Sequence, residues 1–268
     1  MKKIFFPIIA LVFAFSSCQK VVDIDLNTAT PQYVIEAELV EGTQDFAVRV
    51  TKTSNFFSTD KPTAVTNATV TLKKDSGAAI SLIGENNGYY KAAKYTATNK
   101  ANYTLSVSVD GKSFSASSYL SKPIMLDSIE IEKDNGNPFG GAAADSTYQL
   151  YCIFQDLASE TNFYRIKTVV NGKPKNKGEN ILVIDDRLTN GNRIRIPIFT
   201  TEFKLGEKVD VELVSIDKKV HDYYNTLSTL VSNGNNSAAP TNPITNWSGG
   251  ALGYFGAVSS SKKTVVVK

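Results

Sequence analysis

The 268 residues contain two cysteines, one histidine, one tryptophan and two methionines. So few nitrogen and sulfur ligands exclude zinc clusters, haem held between paired histidines and any disulfide scaffold. Neither sign of charge dominates: 29 Lys and Arg stand against 26 Asp and Glu, for a net charge of +3. A dedicated nucleic-acid binder draws its affinity from a basic surplus that neutralises phosphates, so no nucleic-acid partner is expected. No Gly-x-Ser-x-Gly elbow, His-Glu-x-x-His helix or Gly-x-x-x-x-Gly-Lys loop occurs, and no catalytic residue or metal ligand is assigned. What remains is 42% hydrophobic and 21% charged, enough apolar surface for a folded core.

Long hydrophobic runs are also scarce. Ile4 to Phe15 is a run of twelve behind Lys2 and Lys3. As a helix it rises about 18 Å, short of a hydrocarbon core of about 30 Å. Residues 1–17 therefore read as an export signal. Ser16-Ser17 precede Cys18 as in a bacterial lipobox, where the thiol is diacylated, the signal is cut before it and the new amine is acylated. Phe15 departs from the usual aliphatic residue three positions back. Acyl chains at about 0.8 kcal/mol per CH2 would anchor the protein to a membrane. The covalent lipid on Cys18 is the one attached group expected. Cys152, within Leu150-Tyr151-Cys152-Ile153-Phe154, is then a buried strand residue.

Residues 18–30 read as a tether. After them apolar residues alternate with polar ones at Tyr33, Ile35, Ala37 and Leu39, at Phe46, Val48 and Val50, at Ala68, Val70 and Leu72, and at Tyr103, Leu105, Val107 and Val109. That period of two is the mark of strands with one buried face. Asn87-Gly88 and Asp110-Gly111 supply turn residues. The fold class is all-β and mainly antiparallel, beginning with an immunoglobulin- or transthyretin-like sandwich over 31–121. Ser121-Lys122-Pro123 interrupts the pattern, and 124–268 read as a second β-sandwich or barrel-like domain. Within it Val220, Tyr223, Tyr224, Leu227, Leu230 and Val231 form a helical stripe, predicting one helix over about 217–231 with Asp217 as its N-cap. Thr264 to Val267 reads as a closing strand.

Candidate sites are sparse. His221 is the sole histidine, but Asp222 beside it points about 100° away around a helix and does not orient it as a triad acid would. A surface or half-buried helix histidine is expected. Asp185-Asp186-Arg187 reads as a solvated loop. Most aromatics fall on strand-period positions and belong to cores, whereas Phe56-Phe57 and Tyr89-Tyr90 lie in turn-like segments and are candidate ligand or partner contacts. Trp247, Tyr254 and Phe255 join them. The glycine-rich stretch Trp247 to Ala257 predicts an ordered loop that either closes the second domain's core or lies flat against a partner.

Several segments, in order, resemble one known family: Asp23-Ile24-Asp25-Leu26, Tyr33-Val34-Ile35-Glu36-Ala37, Val48-Arg49-Val50-Thr51-Lys52-Thr53-Ser54, Gly88-Tyr89-Tyr90, Asp127-Ser128-Ile129, and above all Gly249-Gly250-Ala251-Leu252-Gly253-Tyr254-Phe255-Gly256-Ala257. Together with Cys18 they resemble the Bacteroidota lipoproteins grouped as domain of unknown function 4249. The resemblance implies an outer-membrane lipoprotein, often encoded beside a TonB-dependent outer-membrane transporter, which is the expected partner. Gln19-Lys20 follow Cys18 without the acidic run that favours surface export, so both faces of the outer membrane stay open. Asp127-Ser128-Ile129 and Asp145-Ser146-Thr147 resemble O-glycosylation acceptors, making Ser128 and Ser146 candidates. The function expected is that of an accessory or ligand-binding lipoprotein in nutrient uptake. A surface glycan or peptide hydrolase and a structural or adhesive lipoprotein are the alternatives.

Overall fold

A computed structural model describes residues 30–54, 61–133, 147–158, 160–175, 177–199, 201–232 and 241–268. Cys18, Phe56, Phe57 and Ser146 lie outside the described residues. The first half supplies β1 (Tyr33–Val40), β2 (Gly42–Lys52), β3 (Thr63–Ala64), β4 (Thr69–Lys74), β5 (Ala79–Ser81), β6 (Ile83–Gly84), β7 (Tyr89–Ala97), β8 (Ala101–Val109) and β9 (Lys112–Leu120). The second half adds β10 (Leu126–Lys133), β11 (Thr147–Gln155), β12 (Phe163–Val170), β13 (Lys173–Pro174), β14 (Leu182–Asp185), β15 (Arg193–Pro197), β16 (Phe203–Lys204) and β17 (Lys208–Ile216). The helix α1 (Lys218–Ser232) and the strand β18 (Leu252–Val266) complete it.

One long sheet carries both halves. Its order is β13-β12-β17-β18-β1-β2-β7-β6, with β14 beside β12 and β3 beside β2. The sheet β5-β4-β8-β9 covers one end of it, and β10-β11-β15, joined by β16, covers the other. Alternation puts Ile35, Leu39, Val48, Val50, Leu105 and Val107 into the first core and Leu150, Phe154, Ile166, Val211 and Leu213 into the second. The result is an all-β, mainly antiparallel pair of sandwiches, as the period-two pattern implied.

The closing strand departs from the expectation. β18 begins at Leu252 instead of Thr264 and serves both sandwiches. Leu252 to Val258 run parallel to β1, and Ser259 to Val266 run antiparallel to β17. The glycine-rich stretch therefore closes the first core, not the second: Trp247, Ala251, Phe255 and Ala257 are all buried there. Gly253 shows why the sequence is glycine-rich. Its φ is +88°, and a Cβ at this position would lie 2.3 Å from the Ile35 carbonyl oxygen. The chain crosses between sandwiches at Ser121-Pro123, yet residues 247–258 return to the first before Ser259 to Val266 join the second.

A third, smaller core of Ile181, Val214, Ile216, Val220, Tyr223, Tyr224 and Val258 lies under α1 where the sandwiches meet. Asp217 caps α1 as expected, one carboxylate oxygen accepting the Val220 N–H at 2.9 Å. Its other oxygen accepts from the Ser118 hydroxyl and from the Tyr119 N–H of β9. The helix is thereby fastened to the first sandwich as well as packed on the second.

Candidate functional site

Strand alternation at this seam builds a second polar surface opposite the cores. Since Ile35 and Ala37 point into the first core, Glu36 and Glu38 face the other way. Phe255 is likewise interior, which leaves Tyr254 on the outer side in register with Glu36. On β12, Tyr164 and Ile166 enter the second core, and Arg165 and Lys167 take the opposite face. Over this surface lies α1, presenting Tyr223, Tyr224 and Leu227, while Lys177, Gly178 and Ile181 form one wall. The cleft, open to solvent, measures about 540 Å³. That volume falls in the range of small-molecule sites, which favour junctions of this kind.

The cleft is ordered by its own contacts. Lys167 Nζ lies 2.6 Å from Glu38 Oε1, and an Arg165 guanidinium nitrogen 4.0 Å from Glu38 Oε2. The Arg165 guanidinium rests 3.8 Å from the centre of the Tyr224 ring. Tyr223 and Tyr254 stack at 4.8 Å, and Tyr224 meets Tyr254 edge-on at 5.0 Å. Glu36 pairs outward with Arg49 at 3.3 Å. Burial pushes the Tyr223 hydroxyl up to about 12 and raises Tyr224 and Tyr254 as well. All three phenols thus stay protonated at neutral pH. Among the described side chains of the cleft, with Glu36 matched by Arg49, the cations Arg165, Lys167 and exposed Lys177 outnumber Glu38. Such a surface suits holding a ligand by charge and hydrogen bonds.

The residues singled out from sequence separate clearly. Tyr254 belongs to the cleft. Trp247 and Phe255 are core residues, the Trp247 indole N–H donating to the Ile35 carbonyl at 3.0 Å. Tyr90 is buried, its hydroxyl donating to the Val65 carbonyl at 2.9 Å and accepting the Ala68 N–H at 2.8 Å, so it is no surface contact. Tyr89, beside it, is exposed. Ser128 is half-buried at a bulge where β10 pairs with β11. Cys152 is fully buried, and burial pushes its thiol up to about 12.

Two expectations need correction. His221 is buried, packed against the Phe163 ring at 5.1 Å, because the helix turns it toward the seam core. Its Nδ1 lies 3.5 Å from an Asp222 carboxylate oxygen, while the other oxygen holds Lys218 Nζ at 2.6 Å. The loop at Asp185-Asp186-Arg187 is not wholly solvated either. Asp185 pairs with Arg187, but Asp186 is fully buried and accepts the Asn162 N–H at 2.9 Å. Burial, aided by the Asp156 carboxylate, raises the Asp186 carboxyl above its ordinary value. Among the described residues, no cluster of three or more His, Cys, Asp or Glu is placed to hold a metal ion.

Sequence reading missed Glu36, Glu38, Arg165 and Lys167 as site residues. Their one visible signal is charge of opposite sign at alternate positions on two strands, Glu36 and Glu38 on one and Arg165 and Lys167 on the other. The family model described as Domain of unknown function (DUF4249) matches residues 19–264. No curated protein matches the chain.

Proposed function

The chain belongs to the family described as Domain of unknown function (DUF4249), and from that premise we propose that it is a lipid-anchored, ligand-binding accessory protein of a bacterial outer membrane. It works beside a TonB-dependent transporter in nutrient uptake, in a Bacteroidota cell. Cys18 carries the acyl chains, and the β-sandwiches present the seam cleft to solvent. The cleft is the observation that carries this reading: a cavity of about 540 Å³ at a junction, with fixed charges and three protonated phenols. Its side chains project mainly from strands of the shared sheet and from α1, a rigid platform for holding a small molecule.

The experiment has two arms. Metabolic labelling with a clickable palmitate marks the wild-type chain and leaves Cys18→Ala unlabelled; equal labelling of both defeats the anchor. Mild detergent extraction brings down a transporter in stoichiometric amount. Extraction of the chain alone, without a transporter, defeats the accessory role.

A further inference from the structure

The chemistry of the seam cleft selects one class of ligand. Its aromatic rings offer no open stacking face. Tyr223 lies against Tyr254 at 4.8 Å, the Arg165 guanidinium covers Tyr224 at 3.8 Å, and Tyr223 and Tyr224 are only 8% and 6% exposed. A flat aromatic ligand would have to displace one of these partners. What the cleft does present is polar and of both kinds: phenol and ammonium donors from Tyr223, Tyr254, Lys167 and Lys177, and carboxylate acceptors from Glu36 and Glu38. Mixed donors and acceptors match hydroxyl groups, each of which donates once and accepts twice. The cationic surplus adds a demand for negative charge. Glu36 is matched by Arg49 and Glu38 by Lys167, which among the described side chains leaves Lys177 as a positive charge at the open rim.

From these features we infer that the cleft binds a polyhydroxylated anion, an acidic sugar whose carboxylate or sulfate lies toward Lys177 and Lys167. Its hydroxyls meet the tyrosine phenols and the two glutamates. The inference rests on the ligand-binding reading of this cleft and adds the ligand class. Lys177 is exposed and lends its charge without supporting a core. Tyr254 lends a hydroxyl, which Phe removes while keeping the ring.

The test is titration calorimetry of the full chain in detergent with four probes: glucuronic acid, glucose, inorganic sulfate and benzoate. Glucuronic acid is expected to bind at least about tenfold more tightly than each of the other three. Lys177→Glu should weaken glucuronic acid about tenfold or more and leave glucose and the melting temperature unchanged. Tyr254→Phe should weaken it about fivefold, the scale of one neutral hydrogen bond. Glucose binding as well as glucuronic acid would overturn the anionic class. Sulfate binding as well would reduce the site to an adventitious ion only, and tighter benzoate binding would show an aromatic platform. Absence of binding by all four would overturn the inference, as would an unaltered affinity in Lys177→Glu. A transporter that still co-purifies in any of these cases keeps the accessory role, whereas glucuronic acid bound by a chain without a transporter keeps the site and removes that role.

Discussion

The two sandwiches treat buried polar groups differently. In the first, every large polar aromatic named here ends on a partner: Tyr90 on Val65 and Ala68, Tyr103 on Thr98, Trp247 on Ile35 and Tyr33 on Asp110. In the second and along the seam, Asn162 Oδ1, Asp186 Oδ1, His221 Nδ1 and Ser259 Oγ are buried with no hydrogen-bond partner among the described residues. Buried polar atoms are normally satisfied, and leaving one unmade costs about 1–3 kcal/mol. The named polar groups of the first sandwich are thus paired, whereas the second and the seam bury polar atoms that are not.

That contrast can be broken from either side. The largest expected effect is at Trp247. Trp247→Ala removes a buried indole from the first core and strands the Ile35 carbonyl, so chemical denaturation should report a loss of about 3–5 kcal/mol. A loss under about 1 kcal/mol would show that residues 247–258 do not close the first sandwich. Next is Gly253→Ala, which puts a Cβ against the Ile35 oxygen at a positive φ. It should destabilise by about 1–3 kcal/mol, read by the same method.

A smaller effect of opposite sign is expected in the second sandwich. Asp186 is raised above its ordinary value of 3.8 chiefly by burial, with Asp156 beside it. Because the folded state binds the proton more tightly, the stability this group supplies is full below its unfolded value and is lost as pH rises through the folded one. Asp186→Asn does not titrate and places an amide donor where an oxygen lacks a partner. Its melting temperature should equal or exceed that of the wild type at pH 7, with a flatter profile from pH 4 upward. A marked fall at pH 7 would mean the carboxylate itself is needed there.

The smallest effect is at the far end of the first sandwich. Hydrogen bonds from Tyr33, Asn67 and Lys52 hold the exposed Asp110 carboxyl down at about 2. Its folded value is below the unfolded one, so its contribution is present above about pH 4 and lost as pH falls from 4 to 2. Asp110→Asn tolerates the same left-handed turn, at φ +50°. It should therefore lower the melting temperature slightly above about pH 4 and match the wild type as pH falls to 2, in a series of thermal melts.

Much of the architecture was legible. Period-two alternation located the strands, Asp110-Gly111 occupies a left-handed turn, and the stripe from Val220 to Val231 is the helix that Asp217 caps. Alternation reports which face of a strand is buried but not which strand lies beside it. The pairing of β1 with β18, and hence the true place of Trp247 and Phe255, was not readable. The cleft was hidden for the same reason: Glu38 and Lys167 belong to strands that come together only in three dimensions. Tyr90 was misjudged because it lies on β7, where alternation buries it beside the exposed Tyr89, and Asp186 because a turn-like neighbourhood reads as surface although this residue is buried.

The shared strand also sets an order of events. Val34 pairs with Leu252, more than 200 positions further along the chain. The first sandwich is therefore missing a central strand of its sheet until residues 252–258 are present, and loop closure over that span makes the pairing slow. A chain threaded through a membrane from its N-terminus would stay incomplete, with the edge of β1 open, until residues 252–258 arrived. A chain truncated before Leu252 would therefore leave both sandwiches without the strand they share.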